Sequence, residues 1–286
     1  MSSIVPRGGG RLPDPLPLPI RVLVKGASTV NWVSWMGGPR TDFTFPRVIE
    51  QQLAAEGRPS QVQTITMTSE KTSTILSTWQ REILGFSPDV VVLVYGHFET
   101  IHLFLPRWLE RHANSLKARP RTLSSRYRRH VLRPVWMTLA RLQARLDAVL
   151  DPTIRRGRPR RVAADLERYI EHVQKVGSPL MLVVQLLPPA ERYRSWFPGM
   201  AARIEVMNSH IEEMVRRVDL PQVRYFEVAG LVDKYADGDL EQATPDGFHY
   251  SPTLHREIGT ALAEQISEWA DTQPHLTLEP TRQHRA

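Results

Sequence analysis

Two short stretches of this 286-residue chain hold side chains suited to nucleophilic chemistry. In KGASTVNW, Ser28 sits among small residues at a turn, where backbone N–H groups can approach a developing oxyanion while the hydroxyl stays accessible. In ATPDGFHYSP, Asp246 and His249 are separated by two residues. A serine hydroxyl is inert until a base takes its proton, and an imidazole held by a carboxylate is such a base. His249 would accept the proton, while Asp246 would fix the tautomer and stabilise the imidazolium. Each stretch alone also has a plain structural reading: a glycine-flanked serine occurs in many turns, and a D-x-x-H is often a turn aspartate beside a surface histidine.

Other chemistries find less support. The absence of cysteine removes disulfides, thiolate nucleophiles and thiolate-ligated zinc. Ten histidines without an H-x-x-x-H pair or a compact His/Asp/Glu cluster leave no metal site, so none is expected. The N-terminal GGGR precedes no strand-to-helix turn and reads as linker, not phosphate loop.

The elements that must position Ser28, Asp246 and His249 follow from periodicity. β-rich apolar runs at Ile20–Val24, Val62–Met67, Val90–Tyr95, Leu180–Leu187 and Val223–Val228 alternate with helical-period segments. The helices are expected from Pro46 to Gly57, then over Thr74–Leu84, Val162–Val176, Met200–Val218 and Thr253–Trp269. This alternation predicts an α/β fold, a three-layer α/β/α sandwich around a parallel five-stranded sheet of flavodoxin-like type. In such sheets the loops after the strands carry function. Ser28 follows the first strand, and Asp246 and His249 precede the last helix.

Residues 101–165 break the rhythm. They hold 16 Arg or Lys against 4 Asp or Glu, so a chain of net charge +7 concentrates +12 here and leaves −5 elsewhere. With a helical stretch near Val135–Leu150 and the joint RRGRPRR, the segment reads as a helical cap or lid insertion. Its charge suits a solvated face, a phosphate-binding patch, or a dock for an anionic substrate to which Arg158, Arg160 and Arg161 would contribute. Without a zinc-finger or RNP motif, nucleic acid is not the favoured partner. The expected organisation is a flexible leader over 1–19, a catalytic domain over 20–270 and a flexible tail over 271–286. The leader lacks the order of a signal peptide, and no apolar run approaches a membrane span; with no cysteine, a cytoplasmic location is expected.

A serine just after the first strand, with D-G-x-H-x-S-P just before the last helix, resembles the SGNH or GDSL hydrolase superfamily over roughly Ile20–His97 and Leu180–Trp269. The resemblance implies catalytic roles for Ser28, Asp246 and His249. The chain departs from that pattern at three places. Ala27 replaces the aspartate before the nucleophile, Ser69 in TMTSEKTST stands where a glycine would donate its N–H to the oxyanion, and G-x-N-D becomes Gly96, His97, Phe98 and Glu99. The side-chain amide that completes the oxyanion hole is therefore missing, so either a substitute exists, with Asn31 and His97 as candidates, or the enzyme is slow. Losing one such donor costs on the order of 3 to 4 kcal/mol. A buried or capping imidazole serves equally well as a reading of His97, and a helix cap is the preferred reading of Glu99.

The stretch KGASTVNWVSWMGGPRTDF and the insertion are also similar to the SGNH-type octanoyltransferases of mycobacteria, which act in methylglucose lipopolysaccharide biosynthesis. That likeness implies acyl-CoA as donor without a bound cofactor, an octanoyl group carried on Ser28, and a glucosylglycerate-type sugar hydroxyl as acceptor. Trp32, Trp35 and Met36 are either core residues or the wall of an acyl pocket. The same triad would serve an esterase, thioesterase or carbohydrate deacetylase. A catalytically silent binding protein is the remaining class. Oligomeric state is not legible.

Overall fold

The computed structural model describes residues 18–33, 38–39, 42–66, 71–101, 126–147, 149, 158–195 and 197–277. In chain order the elements are β1 (Ile20–Gly26), a 3-10 turn (Ser28–Val30), β2 (Trp32–Val33), β3 (Gly38–Pro39), α1 (Phe45–Ala55), β4 (Ser60–Thr66), α2 (Thr72–Phe86), β5 (Val90–Val94) and α3 (His97–Ile101). A π-helical turn (Arg128–Leu132) leads into α4 (Arg133–Asp147). Then come α5 (Pro159–Val176), β6 (Leu180–Val184), α6 (Glu191–Arg194), α7 (Met200–Val218), β7 (Val223–Phe226), α8 (Ala229–Ala236), α9 (Leu240–Ala243) and α10 (Pro252–Asp271).

The main sheet has the order β4-β1-β5-β6-β7 with every pairing parallel, while β2 and β3 form a separate antiparallel ribbon. Counting only the five main strands, this is the doubly wound order 2-1-3-4-5, in which the winding reverses between the first and third strands. That reversal falls between β1 and β5. The crevice above their carboxyl ends is where an open α/β sheet accepts ligands, and Ser28 and His97 lie just beyond those two ends.

Strand alternation divides the core into two layers. Val90, Val92 and Val94 of β5 pack into the cluster holding Phe45 and Ile49 of α1 and Leu254, Ile258 and Leu262 of α10. Val91 and Leu93 face the cluster formed by Ile75 of α2, Leu166 and Ile170 of α5, and Met207 and Ile211 of α7. A strand covered on both faces must be apolar at successive positions, hence VVVLV in β5 and LMLVV in β6.

Sequence-expected bounds shift for local reasons. Helices α1, α5 and α10 carry proline in their first turn, where its missing N–H costs nothing, so they begin earlier than the apolar period alone suggests. β6 ends at Val184; just beyond it the Gln185 N–H still donates to the Phe226 carbonyl at 2.9 Å, and Gln185 Oε1 accepts the N–H groups of Val228 and Ala229, each at 2.8 Å. α5 begins at Pro159, and its Val162, Ala163 and Asp165 are buried. Leu276 is buried in the α1/α10 layer, and Arg58 Nη2 pairs with Asp271 at 2.5 Å.

Candidate active site

The turn carrying Ser28 is built by close approach. A β-carbon on Gly26 would lie 2.6 Å from Val30 Cγ2 and 2.7 Å from the Val94 carbonyl oxygen, so only glycine lets β1 pass the end of β5 and curl back at once. The 3-10 turn that follows is closed by Val30 N–H to Ala27 O at 3.2 Å and Asn31 N–H to Ser28 O at 3.3 Å. Such a turn leaves its leading N–H groups, those of Ser28 and Thr29, without an acceptor inside it. They are the backbone donors nearest the Ser28 hydroxyl in sequence.

The second half of the site is the loop between α9 and α10. Asp246 folds this loop onto itself: its Oδ1 accepts the N–H of His249 at 2.8 Å and of Phe248 at 3.2 Å. Its Oδ2 is left for the ring, and meets His249 Nδ1 at 2.7 Å. His249 Nε2 then lies 3.0 Å from Ser28 Oγ. Residues 221 positions apart are thus joined in one Asp–His–Ser chain of hydrogen bonds. With Nδ1–H held by the carboxylate, Nε2 is the basic nitrogen, and the Ser28 hydroxyl donates to it.

Two further imidazoles lie close to His249. His97 is buried edge-on to Tyr250, with ring centroids 6.4 Å apart, and both its nitrogens are closed off from solvent. Burial pushes its pKa down to about 4; the proximity of His249 adds to that, and a backbone interaction at Leu187 opposes it. His255 is fully buried, and its Nδ1 accepts the Phe45 N–H at 3.3 Å. Burial first and His249 second push it down to about 3. Both rings are therefore neutral near pH 7.

The remaining sequence candidates divide. Asn31 donates one amide N–H to Thr66 Oγ1 at 3.0 Å, tying the Ser28 turn to the end of β4. Glu99 caps a helix, though not its own: its Oε1 accepts the N–H of Thr72 at 2.7 Å and its hydroxyl at 3.0 Å, at the start of α2. Burial, its largest influence, raises the pKa of that carboxyl. Arg158 is the buried N-cap residue of α5, and Arg161 pairs with Asp165 at 3.2 Å. Arg160 lines a shallow depression with Ala163, Ala164, His210, Glu213 and Arg217, all on α5 and α7. Trp32 belongs to β2, but its side chain, Trp35, Met36 and Ser69 lie outside the described residues. The described residues contain no group of three or more His, Asp or Glu able to hold a metal ion.

Several residues beside the triad carry no sequence motif. The Phe248 ring lies 4.2 Å from that of His249, and Phe197 meets Phe248 edge-on at 5.7 Å, giving the base an apolar flank. Arg192 Nη2 and the Tyr193 hydroxyl both donate to the Pro245 carbonyl, the former at 2.8 Å, bracing the Asp246 loop from α6. Their position just past β6, at the carboxyl end of a strand, was the one available signal.

No family model matches the chain, and no curated protein matches it in sequence. Solved structures do share its fold. It is similar to a lipase/acylhydrolase from Enterococcus faecalis at 15% identity and a TM-score of 0.55, over 87% of this chain and 96% of the other. A carbohydrate acetylesterase from Sinorhizobium meliloti is 14% identical with a TM-score of 0.52, over 87% and 99%. An acetylxylan esterase from Geobacillus stearothermophilus, seen as a catalytic mutant, is 9% identical with a TM-score of 0.56, over 88% and 96%. The architecture is the SGNH-like α/β/α fold.

Proposed function

We propose that this chain is an SGNH-type serine enzyme that transfers an acyl group through Ser28. The observation carrying this reading is the continuous Asp246–His249–Ser28 contact, at 2.7 and 3.0 Å, at the sheet's switch point. His249 Nε2 takes the hydroxyl proton as Ser28 Oγ adds to the acyl carbonyl, with Asp246 stabilising the imidazolium that forms. The oxyanion lies within reach of the leading N–H groups of the 3-10 turn. Collapse of the tetrahedral species breaks the bond to the leaving group, which receives the proton from His249. A hydroxyl acceptor then enters, gives its proton to His249, attacks the acyl-Ser28 carbonyl and restores the serine.

The donor and acceptor we favour are octanoyl-CoA and a glucosylglycerate-type sugar. Support comes from the likeness of the Ser28 stretch and the basic insertion to the octanoyltransferases, and from the apolar flank of Phe197 and Phe248, which suits an acyl chain. Two of the structures with this fold are named for acetyl esters of carbohydrate and xylan, which agrees with a sugar-bound hydroxyl as reaction partner. Arginines of the insertion would meet the CoA phosphates or the glycerate carboxylate.

Intact-protein mass spectrometry after brief mixing with octanoyl-CoA, with and without glucosylglycerate, tests this. An octanoyl adduct is expected on wild type and not on Ser28→Ala, and it should clear faster when the sugar is present. Clearance at one rate with or without sugar would make water the acceptor and the protein a hydrolase. If no adduct forms and neither thioesters nor aryl esters are turned over, the reading fails.

A further inference from the structure

The helical segment Arg126–Asp147, with the turn residue Val149 beyond it, is turned the wrong way round for a helix that only covers a protein. Of the eleven large apolar side chains exposed among the described residues, six belong to it: Tyr127, Val131, Val135, Leu142, Leu146 and Val149, at 39% to 81% exposure. Their spacing of four, four, seven, four and three residues keeps them on one side of the helix. The opposite side is the packed one. Ala140 is buried, and Ala144 lies so near Gly199 that a β-carbon there would be 2.6 Å from Ala144 Cβ. Ala140 and Ala144 thus mark the packed side, with Leu132, Trp136, Met137 and Leu139 half-buried, while the six large apolar side chains face out.

The charge on this helix is one-sided. Between Arg126 and Val149 there are six arginines against a single acid, Asp147. The exposed Arg141 and Arg145 border the stripe, while Arg129 and Arg133, also exposed, share the side of Ala140 and Ala144. A second copy of the chain would bring six like charges against six. Nucleic acid would match the arginines but leave the apolar stripe in water. An anionic lipid surface matches both, since the stripe enters the acyl boundary while the guanidinium groups meet the headgroups.

We propose that this segment is an interfacial helix that lays its apolar stripe into a bilayer surface carrying anionic lipid. It does not cross the bilayer, and no helix among the described residues is long and apolar enough to do so. Gly199, where the helix is held, is two residues from Phe197, which touches Phe248 beside His249, so the contact would form next to the mouth of the candidate active site. The proposal concerns binding and stands independently of the acyl chemistry.

Co-sedimentation of the full chain with vesicles of phosphatidylcholine, alone or mixed with anionic phosphatidylglycerol, tests it. Binding is expected to the mixed vesicles, weakened by salt. Leu142→Ser/Leu146→Ser should reduce that binding about tenfold or more. Arg141→Gln/Arg145→Gln replaces only exposed charges, so it keeps the test valid if the first variant does not fold; it should remove about tenfold of the preference for anionic vesicles. Absence of binding to either vesicle overturns the proposal. So does binding that neither variant changes, or a concentration-dependent oligomer that Leu142→Ser/Leu146→Ser dissociates while vesicles are ignored, which would assign the stripe to a second copy.

Discussion

Tyr193 is packed against Gly247 so closely that a β-carbon on residue 247 would lie 2.8 Å from Tyr193 Cγ. The hydroxyl of the same tyrosine reaches the Pro245 carbonyl, so one side chain holds the backbone on both sides of Asp246. Arg192, whose guanidinium lies 4.6 Å from the Tyr193 ring centroid and pairs with Glu241 at 3.4 Å, backs that contact. The loop carrying the base is therefore fixed from outside as well as by Asp246.

Gly247→Ala should reveal this brace. Residue 247 has φ of +98°, where an alanine is strained, and its methyl would displace Tyr193. A loss of about 1 to 3 kcal/mol in unfolding free energy is expected, together with a fall in kcat larger than any rise in KM. Tyr193→Phe keeps the ring and should retain most of the activity that Tyr193→Ala loses. Equal activity in both Tyr193 variants would remove the packing role.

Asp246→Asn separates orientation from charge. The asparagine is the same size, but it would present an N–H where His249 Nδ1–H now donates, favouring the tautomer with its proton on Nε2, the atom that must accept from Ser28. Activity should fall by about 10³- to 10⁴-fold with the melting temperature little changed. A loss of less than tenfold would mean that the carboxylate does not set the tautomer.

How far the sequence revealed these arrangements depended on whether the information was local. The five parallel strands were legible because Val/Ile/Leu runs such as VVVLV are short, bounded, and alternate with helical periods. Ser28, Asp246 and His249 stood out because each lies in a compact stretch of small or turn-forming residues. The brace from Tyr193 was not legible, since its contact with Gly247 spans 54 positions and PPAERYRSW contains no periodic or motif signal. Glu99 read correctly as a cap, but its partner Thr72 lies 27 residues earlier, on a helix that sequence alone does not place beside it. The outward stripe of α4 was not legible, because periodicity shows that a helix has an apolar side without showing which side meets the protein.

The two buried histidines make stability depend on pH. His97 titrates near 4 and His255 near 3 when folded, against an ordinary 6.5, so below 6.5 the unfolded chain takes up protons that the folded chain refuses. The stability they contribute is fully present above pH 6.5 and is lost as pH falls towards 4 and 3, on the order of 3 to 5 kcal/mol for each. Glu99 works in the opposite sense, because its raised pKa favours the folded state at low pH and that contribution fades as pH rises. Urea titrations at pH 7, 5.5 and 4.5 should show the midpoint falling with pH. His255→Gln, neutral throughout and still able to accept the Phe45 N–H, should flatten that fall; an unchanged slope would exclude His255 as a source of the dependence.

Lys25 and Glu82 form an ion pair sealed between β1 and α2, with the lysine side chain wholly buried and also within 5.6 Å of the Tyr169 ring centroid. Lys25 lies three residues before Ser28, on the strand that ends in the Ser28 turn. Removing one partner leaves a buried charge without compensation, so Lys25→Met should cost about 3 to 5 kcal/mol, as should Glu82→Leu. Replacing both removes the desolvation penalty along with the attraction, so Lys25→Met/Glu82→Leu should lie within about 1 to 2 kcal/mol of wild type. Denaturant unfolding of the four proteins measures the coupling directly. If the single losses add in the double variant, the two groups stabilise the fold through separate contacts; if they cancel, the pair acts as one unit beneath the Ser28 turn, and the double variant should keep the proposed acyl-transfer activity because neither group touches Ser28, His249 or Asp246.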